Sequence, residues 1–139
     1  MDIDKLLHAL DNESNEAIVE LDYEKIAKDK NDTLQQLNLS RSDLSYYTKQ
    51  LKSYRLVNDI NDLRFGGYVR WIPLKRPDEI KLTNGGIVCD MKFIREELHI
   101  KTKNKMNRFF QIKISEVILF QKLSEQEQVI LKALKQLKN

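Results

Sequence analysis

Two hydrophobic periods divide this chain. Up to about residue 63 the apolar residues recur every three or four positions, the helical spacing; from Phe65 onward they alternate or form short β-branched and aromatic runs. Residues 2–10 predict a short amphipathic helix with Ile3, Leu6, Leu7 and Leu10 on one face, and Asp2 or Asp4 favouring its N-terminus. A polar break at residues 11–15 follows. A second helix is expected from near Asn15 towards Lys30, carrying Ile18, Val19, Leu21, Ile26 and Ala27, with Asn31-Asp32 as a soft interruption. Leu34, Leu37, Leu44, Tyr47, Leu51 and Tyr54 continue the helical spacing, and Ser40 or Ser42 is the expected N-cap of a helix running to about Asn58. Read as heptads, Tyr23, Lys30, Leu37, Leu44, Leu51 and Asn58 share one position while the companion position is polar. That favours a helical hairpin or short bundle over a long coiled coil. Neither Gly nor Pro occurs before Gly66, so the first 63 residues are expected to be almost entirely helical.

After Gly66-Gly67 the chain reads as strands. Tyr68 to Ile72 is one, ended by Pro73; Ile80-Lys81-Leu82 is a candidate short strand; Asn84-Gly85-Gly86 is a turn. Residues 87–93 alternate with Ile87, Cys89, Met91 and Phe93 in one phase. Residues 98–102 alternate with His99, Lys101 and Lys103 outward. In 108–114, Phe110, Ile112 and Ile114 point in while Phe109, Gln111 and Lys113 point out; residues 117–121 form a last strand. Tightly connected short strands of this kind predict a small barrel or a strongly curled sheet. Ser124-Glu125-Gln126-Glu127 is a capping box opening a helix with Val129, Ile130, Ala133, Leu134 and Leu137 on one face, expected to cover an open end or edge of the sheet. The predicted fold is therefore α+β: an N-terminal helical hairpin (1–63), then a small antiparallel β-barrel-like domain with a C-terminal capping helix (64–139).

Composition sharpens this. A chain of 139 residues with 41% hydrophobic and 32% charged residues carries a modest core. No long uncharged apolar run is present, so no membrane-spanning helix and no membrane partner are expected. The acidic opening, Met1-Asp2-Ile3-Asp4, has no signal-peptide core, and the single cysteine, Cys89, allows no internal disulfide; both point to an intracellular setting. The net charge of +3 is unevenly placed: residues 1–63 hold 8 Lys/Arg against 13 Asp/Glu, a net of −5, and residues 64–139 hold 16 against 8, a net of +8. The basic half suits a polyanion, or else the two halves attract one another.

Catalytic chemistry is not legible. There is no phosphate-cradling loop and no GxGxxG motif, and the glycine pairs lie where turns are needed. His8 and His99 are remote in sequence and read as surface residues, and Cys89 reads as a buried structural thiol. No carboxylate pair has an apolar setting that would tune a general acid. The expectation is a non-enzymatic protein with no catalytic residues, no metal site, no cofactor and no small-molecule substrate.

The candidate chemistry is cationic. Arg70, Lys101, Lys103, Lys105, Arg108 and Lys113 come from neighbouring strands and one turn, and pairing residues 98–103 with 107–113 gathers the last five. With Phe109, and with Tyr68 or Trp71 as further rings, this predicts a single-stranded nucleic-acid surface, cations for phosphates and rings for bases. The bland alternative is a solvated face with lysines blunting an edge strand. A second expectation is a structural or assembly protein, self-associating through Leu37, Leu44, Tyr47 and Leu51 or meeting a protein partner. A third is a winged-helix-like DNA-binding regulator, since Leu39 to Tyr47 and Lys49 to Val57 resemble a recognition helix and its exit; the acidic charge of residues 1–63 argues against it.

Several phrases, in order, resemble a family of small uncharacterised proteins of giant viruses (large nucleocytoplasmic DNA viruses). They are Asn31 to Leu37, Gly67 to Ile72, Leu82 to Asp90, Asn107 to Gln111 and Phe120 to Glu127. The resemblance covers about residues 31–137. It brings no activity or cofactor, and implies only an intracellular location: host cytoplasm, viral factory or virion.

Overall fold

The helical and alternating halves of the sequence meet in a single sheet. The structure, a computed structural model, describes residues 3–12, 15, 18 and 22–138. Helix α1 spans Ile3–Asp11, α2 Tyr23–Gln35 and α3 Arg41–Gln50. Strands follow: β1 (Tyr54–Leu56), β2 (Tyr68–Pro73), β3 (Gly86–Ile94), β4 (Glu97–Lys103), β5 (Phe109–Lys113) and β6 (Val117–Lys122), then helix α4 (Glu125–Lys138). The six strands form one antiparallel sheet in the order β1-β6-β2-β3-β4-β5. The fold is α+β, with helices before the sheet and one after it. The sheet is open: β1 and β5 are its edges, so the expected barrel does not close.

The first 63 residues are not wholly helical. Asp22 caps α2, its Oδ1 accepting from Lys25 N at 2.7 Å, and the Asn31-Asp32 pair lies inside that helix as exposed polar surface. Asp2, Val19 and Leu21, which figured in the expected helices, lie outside the described residues. Ser40 caps α3 as expected, accepting from Asp43 N at 3.1 Å. That helix ends at Gln50 instead of running to Asn58, because Tyr54-Arg55-Leu56 joins the edge of β6. Leu123 N to Ser53 O and Val57 N to Leu119 O extend that ladder on both sides. Lys30 Nζ reaches across from α2 to the last turn of α3, donating to Leu51 O at 2.8 Å. A cation satisfying orphan carbonyls at a helix C-terminus is favourable.

One face of β1, β6 and β2 is covered by α2 and α3. Leu34, Tyr47, Leu51, Tyr54, Ile72, Leu82 and Phe120 form that core, with Leu37 and Leu44 against it. The four residues assigned to self-association thus pack within the chain, and Leu51 is fully buried. On the opposite face Val69, Trp71, Val88, Ile100, Ile112 and Leu119 form a second core cluster. A third cluster joins α1, α2 and α4 through Ala9, Ile18, Ile26, Ile130 and Leu131.

Expected inward residues on β3 and β5 are not all buried: Phe110, expected in the core, is 45% exposed on the edge strand β5. A register shift between Val88 and Asp90 bulges β3 at Cys89. Val88 is therefore the buried residue before the bulge, while Ile87 is exposed and Cys89 is half-buried, donating Sγ–H to Lys101 O at 3.3 Å. An extra residue inverts the alternation on either side of it. Residues 80–82 form no strand; their neighbourhood is tied to β2 through Thr83 N to Trp71 O at 3.0 Å. Likewise β1 pairs with β6 and forms no hairpin with β2, so no wing follows α3.

The capping box is present, with Glu127 N donating to Ser124 Oγ and Ser124 N to Glu127 Oε1. Glu127 has a second role. Its buried carboxylate lies 2.8 Å from Arg64 Nη1 and 3.4 Å from Arg55 Nε, so one residue starts α4 and pins it to β1 and to the chain entering β2.

Candidate nucleic-acid interface

Strand β4 fixes the geometry. Leu98, Ile100 and Thr102 turn to the second core cluster, so His99, Lys101 and Lys103 turn to the other face. On β5 the register places Lys103 opposite Phe109, Lys101 opposite Gln111 and His99 opposite Lys113. Phe109 is 56% exposed, and Lys101 Nζ and Lys103 Nζ lie 4.9 and 5.9 Å from its ring centre. Both distances are within reach of a cation–π contact. Phe109 is therefore a surface ring flanked by cations. Trp71, by contrast, is buried in the core beneath the sheet.

Helices α2 and α3 cover only the β1-β6-β2 end of this face, leaving the β3-β4-β5 end open. One cross-strand row joins the two ends. Tyr54 pairs with Lys122, Tyr68 with Ile87, Ile87 with Lys103, and Lys103 with Phe109. Tyr68 and Lys122 each sit one residue beyond the Val69–Gln121 pair, which closes the row. Six adjacent strands at a spacing of about 4.8 Å give it a length of about 24 Å.

Charge is compensated at one end of the open face and not at the other. Towards the β3–β4 turn, Lys113 is ion-paired with Glu97, which raises its pKa above the ordinary lysine value through that hydrogen bond. Lys92 Nζ is 3.6 Å from Asp90, and Asp90 pairs in register with Lys101. Lys113 is thus a member of an ion pair, not of the free cationic cluster. Towards the β4–β5 loop Lys103, Lys105 and Arg108 have no ion pair among the described residues. Asn104 organises that loop: its Oδ1 accepts from Met106 N at 2.9 Å and Arg108 N at 3.0 Å, and Asn107 takes a left-handed φ of 61°. Lys105, Met106 and Arg108 are held exposed.

The same end opens into a groove of about 620 Å³, lined by Gln50, Tyr54, Tyr68, Arg70, Asn84, Gly85, Asn104, Lys105, Met106 and Lys122. Arg70, expected among the β4–β5 cations, sits here. Its Nε donates to Thr83 O at 2.8 Å and its Nη1 to Gln50 Oε1 at 3.0 Å, so the guanidinium is held in place. Tyr68 Oη–H donates to Asn84 O at 2.7 Å. Gly85 is required: at φ 85° a Cβ would stand 2.0 Å from Val69 O. Sequence reasoning missed Lys122, Tyr54 and Gln50. Their placement depends on β1 pairing with β6, and the strand signal of Tyr54 to Leu56 was overridden by the helical spacing before it.

His8 and His99 stand apart, and no group of three or more His, Cys, Asp or Glu is placed to hold a metal ion among the described residues. Among those residues no helix is long and apolar enough to cross a membrane. Compared with known proteins, the chain matches no protein-family model, no curated protein and no solved structure.

Proposed function

We propose that this protein binds single-stranded nucleic acid, without catalysing a reaction, along the open face of β3, β4 and β5. The observation that supports the reading is the exposed Phe109 ring with Lys101 and Lys103 beside it, next to the loop where Lys103, Lys105 and Arg108 have no ion pair among the described residues. Exposed rings accept base stacking whatever the sequence, and the cations neutralise phosphates. Lys105 and Arg108 extend the cationic end. A location in a viral factory or virion, as the giant-virus resemblance implies, belongs to this proposal.

The test is fluorescence anisotropy with labelled single-stranded DNA and RNA at low and high salt. Binding that weakens with salt, and weakens further in Lys101→Glu, Lys103→Glu and Arg108→Glu, is expected. No binding of either polymer at low salt overturns the proposal.

Self-association remains a second reading on one observation: Ile3, Leu7 and Leu10 are exposed along one side of α1. The change Leu7→Glu should then shift a dimer or larger species towards monomer in light scattering. A wild-type protein that is monomeric at high concentration removes this reading.

A further inference from the structure

We propose that the groove beside the open face is a slot for one phosphorylated nucleotide, and that it gives the protein a preference for the phosphorylated end of a strand. Three cations line it, Arg70, Lys105 and Lys122, and no carboxylate does. Neither Lys105 nor Lys122 has an ion pair among the described residues. Three cations converging without counter-charge raise the local potential and favour a ligand carrying concentrated negative charge. A terminal phosphate monoester carries close to two charges, against one for a backbone phosphodiester, and offers three acceptor oxygens.

The remaining lining fits the rest of a nucleotide. Tyr54, Tyr68 and Met106 are apolar walls, and Gln50, Asn84 and Asn104 bring amide N–H groups able to donate to a base edge or ribose, the Gln50 and Asn104 oxygens being engaged within the protein. The volume of about 620 Å³ lies within the ordinary range for small-ligand sites. The site is preorganised by contacts already made. Gln50 and Thr83 hold Arg70, Tyr68 holds the Asn84 carbonyl, and Asn104 holds the loop that carries Lys105. Ordering these groups in advance lowers the cost of binding.

The strand-end preference rests on the proposed nucleic-acid reading, because the row Phe109–Lys103–Ile87–Tyr68 leads from the open face into the groove. Occupation of the groove by a nucleotide does not depend on it. A free nucleoside monophosphate and a strand terminus present the same chemistry, and the experiment separates them.

Binding of four probes is measured on the full chain: a 5′-phosphorylated oligonucleotide, its 3′-phosphorylated and unphosphorylated counterparts, and adenosine monophosphate. One of the phosphorylated strands should bind about tenfold more tightly than the unphosphorylated strand, the equivalent of one added charge-assisted contact. Lys122→Glu should abolish that difference while leaving residual binding of the unphosphorylated strand. Lys122 is exposed, so the fold is expected to survive the change; Lys105→Glu on the loop is the independent variant. Monophosphate binding that is lost in both variants, with no binding of any oligonucleotide, keeps the slot for a free nucleotide and overturns both the strand-end preference and the nucleic-acid reading. Equal binding of all three oligonucleotides, with no monophosphate binding, overturns the slot and leaves the open-face reading standing.

Discussion

Lys103 and Phe109 face one another across the β4–β5 ladder, with the ammonium 5.9 Å from the ring centre and both side chains open to solvent. The pair couples a phosphate-binding group to a base-stacking group at one register position. It also gives separable consequences. Phe109→Ala should weaken oligonucleotide binding by about 1–3 kcal/mol without changing the salt slope, whereas Lys103→Glu should weaken binding and flatten the slope. Anisotropy titrations over a salt series read both. Identical slopes in the two variants would contradict the division of labour.

Glu127 is the structural centre of the β1–β6–α4 junction. Its side chain is 1% exposed and that of Arg55 4%. Arg55 Nε lies near the carboxylate without hydrogen-bond alignment, so Arg55 depends on Glu127 for charge compensation more than for a directional bond. Glu127→Ala leaves the buried Arg55 guanidinium with only the more distant Asp62 carboxylate, 4.0 Å from Nη1, as counter-charge and removes half of the capping box. A loss of about 3–5 kcal/mol is expected, read as a lowered midpoint in urea denaturation. A loss below about 1 kcal/mol, the scale of an exposed pair, would show that water reaches the site.

Leu51 distinguishes a core from an interface. It is fully buried between α3 and the sheet of its own chain. Leu51→Ala should cost about 2–5 kcal/mol of folding stability and leave the oligomeric state of the remaining folded protein unchanged. Calorimetry and light scattering on the same sample test both halves. A change of oligomeric state at unchanged stability would restore the heptad reading.

Tyr54 should make stability pH-dependent at the alkaline end. Burial raises its phenol pKa above the ordinary 10.0, with nearby Arg70 opposing and Tyr68 adding. The neutral phenol is favoured in the fold. Its contribution is therefore complete below about pH 10 and is lost as pH rises through the folded pKa. Lys30 works in the opposite sense, since burial lowers its pKa. Comparison with Tyr54→Phe isolates the tyrosine: the variant should lose less stability above pH 10, and its ultraviolet titration should show one late-ionising phenol fewer, that of Tyr23 remaining. Superimposable alkaline titrations would refute the shift.

The sequence by itself determined the local elements whose signals are local. The Ser40 cap, the Ser124–Glu127 capping box and the outward phase of His99, Lys101 and Lys103 all depend on residues within a few positions of one another, whereas the expected Asn84-Gly85-Gly86 turn is not formed, the chain there leading into β3. The phase expected for 87–93 fails before the bulge, where Val88 and not Ile87 enters the core, while Met91 beyond it keeps the expected side; the extra residue at Cys89 leaves no mark in composition. Only the tertiary structure made Tyr54 to Leu56 a strand, since unpaired backbone at the β6 edge rewards extension more than three residues of helical spacing reward a helix. That same pairing brought Tyr54 and Lys122 alongside Tyr68 and Arg70, while the β4–β5 pairing drew Lys113 to Glu97 and out of the free cations. Hydrophobic period fixes which way a side chain points. Which cations stay uncompensated depends on partners from strands distant in sequence, and only folding selects those.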